Sequence, residues 1–269
     1  MKTTLIFALL SFSLPLFASI CVEQKNPAGE VTWLHCPREE RTLFAGTIYT
    51  RDVLWQLPAG TPPRRGWPVV LLSQGSWFPI EFSRPHNLPF GGFNEVRLIQ
   101  ALLDNGYAVV APRATLQIGW ITNMPHRDYV KTADYKVLNE VLRLIRAGEF
   151  GKLDTRSMYA TGISSGGYNT SRLAITFPNT FRAIAIQSGS YATCLGPLCR
   201  MPEALPANHP ATLMLHGERD LTVPLSTAKK FYDLLQKSGI DSEMITDQKA
   251  GHAWIDAAPQ AVVDWFERY

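Results

Sequence analysis

The stretch Tyr159-Ala160-Thr161-Gly162-Ile163-Ser164-Ser165-Gly166-Gly167 constrains what this chain can fold into more than any other. It is a short apolar run that stops at a serine with a glycine two residues to either side. Such a run reads as a strand that turns sharply into a helix, and the flanking glycines leave room for a tight, strained turn. The turn lifts the Ser164 hydroxyl above a sheet edge instead of packing it into a core, which makes Ser164 a candidate nucleophile. Gly-x-Ser-x-Gly also arises by chance in ordinary turns, so the rest of the chain has to decide.

Apolar runs and amphipathic segments alternate on both sides of that stretch. Residues 68–72 and 107–111 are continuous apolar runs of the kind expected for strands buried on both faces. Further strands are expected at 154–161, 181–187, 211–216 and 243–246. Helical spacing marks 95–105, 134–147, 168–177, 226–239 and 257–269. Upstream, 43–49 and 52–57 read as an antiparallel lead-in to the same sheet. The alternation implies an α/β fold with a mostly parallel central sheet and helices on both faces, built as a single domain over residues 19–269. Ligands of such sheets sit at the carboxyl ends of the strands.

Hydrophobic residues make up 46% of the chain and charged residues 18%, which is a globular balance. A net charge of +3 with scattered Lys and Arg gives nucleic acid nothing to bind, so no such partner is expected. Residues 1–18, with Lys2, an apolar middle and Ala18 at the exit, have the pattern of a signal peptide. A lipoprotein reading at Cys21 meets a bulky Ile20 where a small residue is wanted. Without another apolar run of spanning length, no stable membrane insertion is expected, and the protein is expected to be secreted, to the extracellular space or the periplasm. In such a compartment the four cysteines should form disulfides. Proximity suggests Cys21–Cys36 and Cys194–Cys199 among three possible connectivities. With no Cys-x-x-Cys and no histidine cluster, neither metal nor cofactor is expected.

A serine hydroxyl needs a base to take its proton, and the base needs a carboxylate to hold its tautomer. Beyond the expected strand 211–216 comes Gly217-Glu218-Arg219-Asp220, and between the last strand and the last helix comes Gly251-His252-Ala253-Trp254. Asp220 and His252 follow Ser164 in the order Ser, acid, His. Glu218 is a rival acid, but Asp220 sits further out from the strand end. Ser165 is a rival nucleophile, but that register would put Ile163 where Gly162 is needed. His35, His86, His126 and His209 all precede Asp220, which breaks the order. An oxyanion would take the Ser165 N–H and a second donor from Gln74-Gly75-Ser76-Trp77, assigned to Ser76 with Trp77 as alternate. The apolar connection bearing Trp77, Phe78, Ile80, Phe82 and Phe90, together with Trp120, reads either as a substrate-binding wall or as a loop packed on its own side chains.

Gly162-Ile163-Ser164-Ser165-Gly166, Asp220 and His252, with their mutual spacing in a short exported chain, resemble the extracellular medium-chain-length polyhydroxyalkanoate depolymerases. The resemblance implies an α/β-hydrolase fold and hydrolysis of a hydrophobic polyester such as poly(3-hydroxyoctanoate) through an acyl-enzyme. It implies Ser164 as nucleophile, Asp220 as orienting carboxylate and His252 as base, and adsorption to a hydrophobic solid through the enzyme's own surface. Gln74 stands where many hydrolases carry histidine. A general carboxylesterase or lipase acting on soluble medium-chain esters is the alternative. A prolyl-oligopeptidase-like peptidase would share Gly166-Gly167 but usually brings a propeller for which this chain has no room.

Overall fold

Residues 67–73 bury side chains on both sides of a sheet: Val69 and Leu71 enter one apolar cluster, Val70 and Leu72 the other. A strand with two buried faces requires cover above and below, and the helices supply it. The structure is a computed structural model that describes residues 19–269 apart from 47, 87, 196 and 197, so the expected export segment lies outside the described residues.

In chain order the strands are β1 (Val22–Lys25), β2 (Val31–His35), β3 (Glu39–Leu43), β4 (Arg51–Gln56), β5 (Trp67–Ser73), β6 (Ser83–Pro85), β7 (Ala108–Pro112), β8 (Leu153–Ile163), β9 (Ala183–Gln187), β10 (Cys194–Leu195), β11 (Leu198–Cys199), β12 (Ala211–Gly217) and β13 (Ser242–Asp247). The helices are α1 (Gly92–Asp104), α2 (His126–Tyr129), α3 (Ala133–Arg146), α4 (Ser165–Thr176), α5 (Leu225–Lys237) and α6 (Ala258–Glu267). The main sheet runs β13-β12-β9-β8-β5-β7-β4-β3. From β13 to β7 all pairings are parallel, and β4 and β3 complete the sheet antiparallel. Leu98, Ile99 and Leu102 of α1 and Val262 and Phe266 of α6 cover one face, while Val137 and Val141 of α3 and Phe231 of α5 cover the other. The fold is the expected α/β arrangement, and its parallel strands and all its helices but the short, unexpected α2 lie within a few residues of their expected positions.

The N-terminal segment departs from expectation. The register Leu43 opposite Arg51 makes 44–50 the connection of a hairpin, so the strand lies at Glu39–Leu43 and not at 43–49. Strands β1 and β2 do not join the main sheet but form a separate antiparallel sheet in the order β1-β2-β6. The Cys21–Cys36 disulfide closes that hairpin. The Cys36 N–H donates to the Phe82 carbonyl at 2.7 Å, which draws the hairpin over the connection that follows β5. A second disulfide, Cys194–Cys199, joins opposed residues of the β10–β11 hairpin. No helix among the described residues is long and apolar enough to cross a membrane.

Edge strands β3 and β13 both carry charge. Glu39, Glu40 and Arg41 of β3 are exposed, and Glu243 of β13 pairs with Arg268 at 2.8 Å.

Cross-linking residues 15 apart removes closure entropy from the unfolded chain. Replacing Cys21 and Cys36 together by serine should therefore cost about 3 kcal/mol of stability, read from urea melts with Cys194–Cys199 intact.

Candidate active site

The site is built on a close approach of backbone to backbone. Strand β8 lies beside β5, with Gly162 opposite Ser73. A Cβ on Gly166 would collide with the Ser73 carbonyl and lie 2.5 Å from that of Gln74, and a Cβ on Gly162 would lie 2.6 Å from the Gly166 carbonyl. Only glycine fits at either place. Between them Ser164 takes φ 56° and ψ −123°, a conformation that L residues rarely adopt, and α4 begins at the next residue. The turn is held by the Ser164 N–H donating to the Gln187 carbonyl at 3.0 Å. Ser164 is thereby presented at the carboxyl edge of the sheet, half-buried in the wall of a cavity of about 320 Å³.

Asp220 and His252 come together from the ends of adjacent strands. Parallel pairing of β12 with β13 brings the two following loops side by side, and the Arg219 N–H donates to the Ala250 carbonyl at 3.0 Å. His252 Nδ1 lies 2.8 Å from Asp220 Oδ2. A carboxylate at that distance places the imidazole proton on Nδ1 and leaves Nε2 as the basic nitrogen. The other Asp220 oxygen accepts from the N–H groups of Thr222 and Val223 at 2.9 and 2.8 Å. Burial pushes the Asp220 carboxyl up, but the hydrogen bonds from His252 and the Val223 N–H outweigh it and hold the group below its ordinary value. His216 supports the loop from beneath, its Nε2 2.8 Å from the Val223 carbonyl, and burial lowers its pKa so that it stays neutral. The rival acid, Glu218, is exposed and accepts from the Thr246 hydroxyl at 2.8 Å, away from His252.

Ser76, Trp77, Phe78, Phe90, Ser164 and His252 line the same cavity. The Trp77 N–H is engaged by the Ile118 carbonyl at 2.9 Å, so of the two candidate donors in that turn Trp77 is already occupied. The apolar connection divides. Ile80 and Phe82 are 1% and 0% exposed and pack with Leu34 and Cys36 beneath the N-terminal hairpin, so they do not line the cavity as a substrate wall. Trp120 is also buried and takes no part in the cavity; its Nε1 donates to the Gln74 carbonyl at 3.1 Å.

Gln74 and two buried arginines brace the loop that follows β7. Gln74 Nε2 donates to the Gln117 carbonyl at 3.0 Å, and its Oε1 accepts from the Ala114 N–H at 3.0 Å. Arg51 pairs with Asp134 at 2.6 Å, both fully buried, and Asp134 accepts from the Ile121 N–H. Arg172 donates to the Thr122 and Met124 carbonyls and stacks over Tyr129 at 4.7 Å. The loop ends with the Trp120 N–H donating to the Ser165 hydroxyl at 2.8 Å.

Leu88, of the same apolar connection, and Thr222, Trp254, Arg84 and Glu95 also line the cavity. For Glu95 a signal existed: with Leu98, Ile99 and Leu102 it falls at helical spacing on the buried stripe of α1, where a carboxylate is out of place.

Comparison with known proteins places the fold and the family. The poly(3-hydroxyoctanoate) depolymerase of Pseudomonas fluorescens is 48% identical over 257 residues, covering 94% of this chain and 92% of that protein. The profile of the prolyl oligopeptidase family matches residues 199–269. Among solved structures, a thermostable esterase superposes with a TM-score of 0.61 at 17% identity, over 86% of this chain and 62% of its own. Acylaminoacyl peptidase from Pyrococcus horikoshii gives 0.59 at 16%, over 88% of this chain and 40% of its own; this chain spans only that share of the peptidase, and the likeness is one of fold. Fold and relatives together define an α/β-hydrolase, a serine ester hydrolase. Within that class the chain belongs to the poly(3-hydroxyoctanoate) depolymerase family.

The segment after His252 rests on the start of α1. Gly91 has φ 66°, and a Cβ there would overlap the Trp254 carbonyl and lie 2.7 Å from its nitrogen. Gly91→Ala should destabilise the protein by about 2–4 kcal/mol and lower ester turnover by displacing the 252–256 segment; thermal melts and initial rates on a soluble ester check this.

Proposed function

We propose that the protein is a secreted esterase that hydrolyses the ester bonds of medium-chain-length poly(3-hydroxyalkanoates) such as poly(3-hydroxyoctanoate). The observation that carries this reading is the 48% identity to a depolymerase of that polymer over nearly the whole of both chains. In the mechanism, His252 Nε2 takes the Ser164 proton as Oγ attacks the ester carbonyl, and Asp220 stabilises the imidazolium. The oxyanion is held by the N–H groups of Ser165, at the start of α4, and of Ser76. His252 returns the proton to the departing alkoxide, leaving an acyl-enzyme on Ser164, and water activated by His252 releases it. No cofactor enters these steps.

Apolar side chains exposed around the cavity suit a solid hydrophobic substrate. Trp77 and Phe78 follow β5, Phe90 lies in the 3-10 turn before α1, Leu116, Ile118 and Ile121 follow β7, and Leu221 follows β12, all exposed. Such a rim can adsorb to polyester, whereas buried Ile80 and Phe82 contribute only packing. Residues 1–18 serve as the export signal in this reading, and the two disulfides accord with an extracellular protein.

Ser164→Ala should abolish ester turnover, a loss of about 10³-fold or more, with an unchanged circular dichroism spectrum. Retained turnover would remove Ser164 from its role. The native enzyme should also clear an emulsion of poly(3-hydroxyoctanoate). Cleavage of soluble medium-chain esters without clearing would reduce the protein to a general carboxylesterase or lipase.

A further inference from the structure

Glu95 is a buried carboxyl that the steps above do not use. It lies in the first turn of α1, is 5% exposed, and faces the cavity that holds Ser164 and His252. Its Oε2 accepts from Trp254 Nε1 at 3.2 Å, while Oε1 makes no hydrogen bond among the described residues. Arg84 lines the same cavity but gives its Nη2 to the Pro79 carbonyl at 2.7 Å, and no ion pair joins it to Glu95 among the described residues. Burial raises the Glu95 pKa to about 7, against the lowering effects of the Trp254 hydrogen bond and the Arg84 charge, with Glu81 adding to the rise. Glu95 is therefore present in both protonation states near neutrality.

Most of the cavity suits an alkyl chain: Trp77, Phe78, Leu88, Phe90 and Ile163 line it. An alkyl chain laid against Glu95 would strip its free oxygen of water and return no hydrogen bond, which is costly. A hydroxyl meets both protonation states, donating to the carboxylate and accepting from the acid. The acyl unit of a poly(3-hydroxyalkanoate) carries such a hydroxyl at one chain end. We propose that Glu95 determines specificity by binding the hydroxyl of a 3-hydroxyacyl chain end, so that the cavity accepts hydroxyacyl termini in preference to plain fatty acyl chains. This rests on the depolymerase reading and names the part of the polymer the cavity takes.

The test uses the purified full-length enzyme with 4-nitrophenyl octanoate and 4-nitrophenyl 3-hydroxyoctanoate, and reads the ratio of their kcat/KM values. The native ratio should favour the hydroxy ester. Glu95→Met, close in shape but unable to hydrogen-bond strongly, should lower the ratio about tenfold or more, and Glu95→Gln should keep it within about threefold. Should Glu95→Met fail to fold, the native enzyme still decides: free 3-hydroxyoctanoate should inhibit at about tenfold lower concentration than octanoate. A native ratio near one, equal inhibition by the two acids, or a Glu95→Met ratio equal to the native one overturns the assignment while leaving the esterase intact. Absence of turnover on both esters and on the polymer would instead overturn the depolymerase reading itself.

Discussion

The contact of Gly166 with the Ser73 and Gln74 carbonyls sets the geometry of the rest of the site. Two backbones meet there with no side chain between them, so the end of β5 and the start of α4 are held in one relative position. That position holds Ser164 in its positive-φ conformation and aims the first N–H groups of α4 at the space above the sheet. It also places the turn after β5, with Ser76, beside the same space. The proposed nucleophile and the proposed oxyanion donors are thus parts of one rigid joint. Asp220 and His252 form a second joint two strands away, fixed by the register of β12 on β13. Strand β9, paired with β8 on one side and β12 on the other, spans the two joints, and the segment after His252 is tied to Phe90 and to Asn94 of α1.

The loop that follows β7 has no regular ladder and obtains its order from buried polar groups. Gln74, Arg51, Asp134 and Arg172 each reach backbone groups of residues 113–124. An uncompensated charge in such a place is strongly destabilising, so these side chains and the loop hold one another in place. Gln74, conspicuous in the sequence only as a departure from histidine, has its side chain committed to this brace.

Fold and site were legible to different degrees for physical reasons. The parallel strands and long helices show through because each obeys a simple periodicity: double-faced burial at 69–72 and a single stripe at 137–145. The separate N-terminal sheet is not legible, because β1 and β2 are short and mostly exposed and are placed by a disulfide and by the Phe82 carbonyl. Asp220 and His252 can be picked out because chain order and position at strand ends restrict the choice, and the structure brings the two together at 2.8 Å. The apolar connection after β5 could not be apportioned from sequence. Phe78 and Phe82 are chemically alike, and only the hairpin lying over Phe82 separates cavity wall from core. Trp120 packs inside for a reason equally hidden from the sequence: its indole N–H satisfies a backbone carbonyl that the strand end leaves open.

The charged margins of the main sheet bear on how such a molecule can work in a crowd. An enzyme gathered on a polymer particle sits at high density with its neighbours, a circumstance in which bare strand edges join one molecule to the next. Glu39, Glu40 and Arg41 along β3, and Glu243 and Asp247 along β13, place charged side chains and their hydration at the only two margins where a further strand could add to this sheet among the described residues. Charged margins of this kind oppose strand-to-strand joining between molecules wherever they crowd together.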